Sequence, residues 1–388
     1  MNLENINLTK IEKSTITVLH PFIYDKQKIL NTSQDNIVKL KSEYLKDFLP
    51  YTRNFFGNYH LDEEETKKTT IPCILKYNLT NTIEFTKDTK IKDAISIDDI
   101  QVFVFEKSIA ILSVKYKLPD NLSDEEYLYY HQKLSMLDKR SKQNLKTSNQ
   151  KEFKYYFEFI EDLISPYLKE TENIFNRSNM YTYNLLVANC CTTASDSRNF
   201  LEPLTQYRAK LDTLSMDKVN ANFIQQTSNI NTLSNENVVV HIAIKTDDIN
   251  NDFIDKEFFN KYQNNHFLTY IITLYQVSKM EQLVVKAFLK EVDSQDLRNM
   301  REIKTEILHF ISNGNFTKIS NNSIRNNLYK FYRKSFDIKD LMEEIDTISD
   351  KLTNKLENIQ QDKQAQREKV MNLFLALLGI GLSIVGLS

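Results

Sequence analysis

Glycine is nearly absent. The 388 residues hold five, Gly57, Gly314, Gly379, Gly381 and Gly386, three of them within the last ten positions. Two glycines in the preceding 378 residues leave no Gly-rich phosphate loop and no dinucleotide-binding fingerprint, since both need backbone that a Cβ would obstruct. The same scarcity argues against an all-β domain, whose tight turns use residues at positive φ. Proline stops at Pro203, and the final 185 residues have none, as long uninterrupted helices require. Tryptophan is missing altogether. Cysteine occurs three times, as Cys73 and the neighbours Cys190 and Cys191. Adjacent cysteines make poor disulfide geometry, an odd count leaves one thiol over, and no Cys or His pair stands at zinc spacing. These read as reduced thiols of a cytosolic protein. Charge of one sign is not in excess: 50 Lys and Arg face 52 Asp and Glu, with a pI near 6.4. No global field draws such a chain to nucleic acid, and no nucleic-acid partner is expected. The start, Met1 to Asn5, carries no basic-then-apolar leader.

What is abundant is Lys, Asn, Ile, Phe and Tyr, the codon bias of an AT-rich genome such as that of a low-GC bacterium. β-branched runs predict strands at 14–24, 71–77, 82–86, 100–106 and 109–116, the last two paired through Lys107-Ser108, and further strands at 181–191 and 237–245. Helical spacing of Ile37, Leu40, Tyr44 and Phe48 predicts a helix at 36–48. A capping box, Ser123 with Glu126, opens another. Helices are also expected at 152–170, 198–213, 267–291 and 295–312, the last closed by Gly314 as a left-handed cap, and at 321–334. The expected organisation is an N-terminal α/β region at 1–145, a second α/β segment at 146–252, a helical packing region at 253–336, a stalk helix at 337–369 and a terminal helix at 370–388. The fold class expected is thus α+β, an α/β N-terminal body with a long C-terminal stalk helix continuing into a single transmembrane helix.

The stalk carries Leu341, Ile345, Ile348, Leu352, Leu356 and Ile359 at spacings of three and four, a heptad-like seam. Such a seam packs either on its own body or against copies of itself as a coiled coil. Residues 360–369 are polar all round, and residues 370–388 have no charged side chain. That last segment spans roughly 28 Å, close to a hydrocarbon core of about 30 Å. Lys363, Arg367 and Lys369 precede it and no basic residue follows, which predicts a single-pass protein of the cell membrane with its bulk cytoplasmic and lipid as a partner. Asn372, Ala376, Gly379, Ser383 and Gly386 recur at spacings of four and three, a small-or-polar stripe suited to close helix packing or to lining a narrow pore.

An α/β body, packed helices and a long stalk running unbroken into an apolar helix resemble the CorA-type magnesium transporter superfamily. The residues that carry the resemblance are Phe316 to Asn322, the aromatic helix Leu328 to Tyr332, the seam from Leu341, and Arg367 to Leu373, within residues 255–388. The resemblance implies a homo-oligomer, a pentamer in that family, with a cytosolic sensor body and a helix that lines an ion path for a divalent cation such as magnesium. The family's Gly-Met-Asn signature and second membrane helix are not in these 388 residues, which look like a shortened relative if Ser388 is the natural end; in a truncated chain the missing part would hold the signature. The alternative expectation is a membrane-tethered bacterial defence effector, an abortive-infection protein acting against phage by membrane disruption. No enzyme activity is expected. Elsewhere, Asp247, Asp248, Asp252 and Asp255 crowd one segment and are weak candidates for a cation site. The six histidines form no i, i+4 pair, and His241 reads as a core residue. The basic and aromatic residues of Arg325 to Lys334 read as a helix that turns its aromatics inward.

Overall fold

The structure is a computed structural model. It describes residues 11–38, 40, 42–56, 71–77, 81–88, 90–91, 93–106, 108–135, 143–169, 180–188, 222–227, 229–245, 258–291 and 297–385, with side chains at the C-terminal end described as far as Leu378. The chain divides into two compact units, one made of 1–279 with 317–339, the other of 280–316 with 340–388.

The first unit is built on one broad mixed sheet. Its strands are β1 (Ile11–Ile23), β2 (Cys73–Lys76), β3 (Thr82–Phe85), β4 (Ile95–Val104), β5 (Ile109–Lys117), β6 (Leu145–Thr147), β7 (Glu152–Phe153), β8 (Tyr181–Ala188), β9 (Asn222–Thr227), β10 (Ile230–Ser234) and β11 (Val238–Ile244). Ten follow the order β7-β6-β3-β4-β5-β1-β8-β11-β10-β9, and β2 shares the edge of β4 with β3. Among the described residues only β8 and β11 pair in parallel; the other pairings are antiparallel. Pro21 does not end β1 as expected. Pairing with β8 stops at Leu19, so the missing N–H of Pro21 falls beyond the ladder on that side and costs no bond.

Helices cover both faces of the sheet. On one, α4 (Asp124–Ser135) and α5 (Tyr156–Ile164) bury Tyr127, Leu134, Tyr156 and Phe159 against Val18, Val114, Val102 and Val240. The capping box that starts α4 is formed: Ser123 N donates to Glu126 Oε2 at 2.8 Å, and Glu126 N donates to Ser123 Oγ at 3.2 Å. On the other face lie the first half of α6 (Phe267–Glu291) and α8 (Ser323–Ser335). There Tyr183 of β8 meets Phe267 and Tyr270 at ring separations of 5.2 and 5.5 Å, and Tyr270 meets Tyr332 at 5.2 Å. The helix expected at 36–48 is instead broken into a 3-10 turn at Gln34–Asn36 and the short α2 (Ser42–Leu45). Two further short helices, α1 (Lys26–Leu30) and α3 (Pro50–Arg53), complete the unit's periphery.

The second unit is helical. It takes α6 from Met280, α7 (Leu297–Asn313), and α9 (Ile338–Val385) from Asp340 onward. Buried Leu283, Ile303, Ile307, Phe310, Ile345 and Leu352 make its interior, and Lys286 pairs with Glu306 at 3.1 Å. Gly314 closes α7 without a left-handed backbone. It is required for room, since a Cβ there would stand 2.6 Å from the Phe310 ring.

Two expectations are corrected. Among the described residues the body is not a set of α/β segments but a single sheet with one parallel pair, five of its ten pairings being antiparallel hairpins between successive strands. The stalk does not continue into a transmembrane helix: among the described residues no helix is long and apolar enough to cross a membrane. α9 is charged over most of its 48 residues. The uncharged run whose side chains are described, 370–378, rises about 14 Å, half of a hydrocarbon core. A single-pass cell-membrane location and a transmembrane helix are therefore not supported.

Candidate functional site

Two features stand out among the described residues. The first is the exposed part of α9. Ile345, Ile348, Leu352 and Leu356 of the seam are buried, while Leu341 and Ile359 are half-buried. From Gln360 to Leu378 every residue is exposed. Val370, Met371, Leu373, Phe374, Leu375, Leu377 and Leu378 are each between 47% and 67% exposed, close to what an uncovered helix presents. At about 100° per residue these side chains sweep an arc of roughly 200°. Asn372 and Ala376 share the remaining side, also exposed. Gly379 and Ser383 continue that line in the helix backbone; their surroundings, and Gly386, lie outside what is described.

The second is a cavity of about 80 Å³ on the α6 side of the sheet. Sequence reading missed it, because it exists only where separate strands align. Thr17 stands opposite Lys115, Asp99 opposite Lys115, and Gln101 opposite Ser113. Alternation along each strand then brings Thr15, Thr17, Ser113, Lys115, Asp99 and Gln101 to one floor. A register shift between Ile97 and Asp99 leaves Asp98 also beside Lys115, with which it forms an ion pair. Gln101 Nε2 donates to Asp99 Oδ2 at 2.7 Å, and Lys76 Nζ stands 3.5 Å from Asp99 Oδ1. That Oδ1 is buried and has no hydrogen-bond partner among the described residues. Phe103, Tyr183 and Phe267 form walls, and Gln263 and Asn264 close the top from a π-helical turn, Tyr262–His266.

The buried titratable groups are structural in character. His241, expected as a core residue, bonds Thr232 Oγ1 through Nδ1 at 2.6 Å and the Tyr332 hydroxyl through Nε2 at 2.9 Å. Burial, helped by the charge of His266, holds its pKa well below the ordinary imidazole value. Burial pushes His266 down to about 3, with Lys261 and Arg325 adding to the effect. Burial alone raises the Cys73 thiol to about 12, which leaves it unreactive. Arg325 lies over the Phe48 ring, 3.7 Å from Asp47, and desolvation lowers it to about 10. The aromatics of α8 do turn inward: Tyr329 and Tyr332 are fully buried, and Tyr329 donates to Gln276 Oε1 at 2.9 Å.

Asp247, Asp248, Asp252 and Asp255 lie outside the described residues, as do Cys190, Cys191 and the helix expected at 198–213. Among the described residues no group of three or more His, Cys, Asp or Glu side chains could hold a metal ion. Comparison with known proteins finds no matching family model, no matching curated protein and no matching solved structure.

Proposed function

We propose that the chain is a non-catalytic assembly protein, in which the exposed end of α9 joins copies of the chain into a bundle of three or more helices. The observation that carries this is the uncovered apolar surface of 370–378. Seven large apolar side chains at 47–67% exposure cannot remain in water without cost. Together they offer on the order of 700 Å² per copy, near the roughly 800 Å² per partner of a standard interface. The breadth of the arc points to the copy number. A two-stranded pair covers a narrow seam, whereas an arc of roughly 200° is covered only when each helix has two neighbours. Val370, Leu373 and Leu377 also continue the three-and-four spacing of the seam, which suits copies running parallel. The resemblance of residues 255–388 to a superfamily of homopentamers supports the same reading. Ion passage and membrane disruption both need a span that the described helices do not provide, and are set aside.

Sedimentation velocity on the full chain tests the proposal. A species of three or more copies is expected at micromolar concentration, and a Leu373→Gln, Leu377→Gln double variant is expected to sediment as a monomer with an unchanged circular dichroism spectrum. A monomeric native chain would sink the idea.

A further inference from the structure

We infer that the cavity between the sheet and the π-helical turn binds a small zwitterion, of the size and chemistry of a free α-amino acid such as glycine or serine. Its volume, about 80 Å³, exceeds a water and falls short of the roughly 150 Å³ cavity that accepts benzene. Its floor is polar, and burying hydroxyls and charges there costs free energy unless something bonds them. Thr17 and Ser113 are 6% and 5% exposed. Asp99 Oδ1 is buried and accepts no hydrogen bond among the described residues, with the Lys76 ammonium 3.5 Å away, and Lys115, across the ladder from it, pairs with Asp98. A ligand ammonium meets Asp99 Oδ1, while a ligand carboxylate meets Lys115 and the hydroxyls of Thr17 and Ser113. A zwitterion brings both the donor that Asp99 Oδ1 lacks and a carboxylate for the Lys115 ammonium, whereas an uncharged polyol offers neither charge to these ion pairs. The top of the cavity adds an independent sign. A π-helical turn gives up regular helical bonding and recurs at functional sites. This one brings two successive amides, Gln263 and Asn264, over the opening.

Isothermal titration of the full chain tests the inference, with glycine and L-serine as ligands. Acetate and methylamine serve as the two halves, and glycerol as an uncharged control. Saturable heat at millimolar concentration is expected for the two amino acids and not for the other three. Asp99→Asn, which keeps shape and removes charge, is expected to weaken binding by about tenfold or more. Asn264→Ala touches no ion pair of the sheet and is expected to weaken binding with the circular dichroism spectrum unchanged, which guards against a misfolded Asp99 variant. Silence from both amino acids, equal binding of glycerol or acetate, or undiminished binding by a folded Asn264→Ala variant would each overturn it.

Discussion

Ser108, Asn121, Asn144, Gln150 and Asp337 hold φ between 47° and 71°, the left-handed region that glycine usually occupies. The chain is not an all-β domain, as its glycine scarcity predicts, yet its sheet makes left-handed turns without glycine. Asn and Asp tolerate left-handed backbone through local hydrogen bonding, and the turns of an eleven-stranded sheet are made with them and with strained Ser and Gln. Gln150, in the turn between β6 and β7, has no such compensation, so Gln150→Gly is expected to stabilise the first unit by about 1 kcal/mol, read as a higher urea midpoint. His266 makes stability depend on pH. Its folded pKa, about 3, lies below the ordinary value of 6.5, so the unfolded chain binds the proton more tightly. Its contribution is complete above pH 6.5 and is lost as pH falls from there toward 3. Urea unfolding between pH 7 and 5 should show stability falling with acid. The slope should be shallower in His266→Gln; an identical slope would remove the assignment.

Elements were legible where a local pattern and a local cause coincide. The β4–β5 hairpin, the α4 capping box, and the apolar periodicities of α6, α7 and α8 all lie where spacing placed them, because 3.6- and two-residue periods are written directly in the chain. The helix expected at 36–48 was lost because its backbone is drawn into bridges with distant segments, Ile37 with Leu75 and Phe48 with Ser320. Val38 donates instead to Ile74 O, tying the segment to β2. At α8, Asn322 Oδ1 accepts from Ile324 N at 2.9 Å and Arg325 N at 3.3 Å. Asn322→Ala should cost about 1 kcal/mol in the thermal or urea unfolding of the first unit. The junction to α9 is two residues, Phe336 and Asp337, and Asp337 at φ 47° turns the chain out of α8. Along α9 the buried and exposed apolar residues separate. Ile345→Ala should destabilise the second unit by about 3 kcal/mol, whereas Leu373→Ala should leave its stability within about 0.5 kcal/mol in dilute monomer and act on assembly alone.

At the scale of the whole molecule, the assembly proposed for α9 would make stability a function of concentration. A helix bundle that binds only folded chains raises the unfolding midpoint of the second unit as protein concentration rises. Calorimetric scans across a hundredfold dilution should show that shift, and the Leu373→Gln, Leu377→Gln variant should not. The amino-acid sequence alone determined the strands and helices whose periodicity is local, the absence of phosphate loops, and the apolar segment 370–378, since each follows from side chains a few residues apart. Tertiary structure decided that the strands form one sheet, and that the seam to Leu356 is buried while the helix beyond it is not. It also decided that Thr17, Asp99, Ser113 and Lys115 share a floor. These depend on which strands lie side by side and in what register, and register between residues a hundred positions apart is set by the packing of both faces of the sheet, not by any neighbouring residues in the chain.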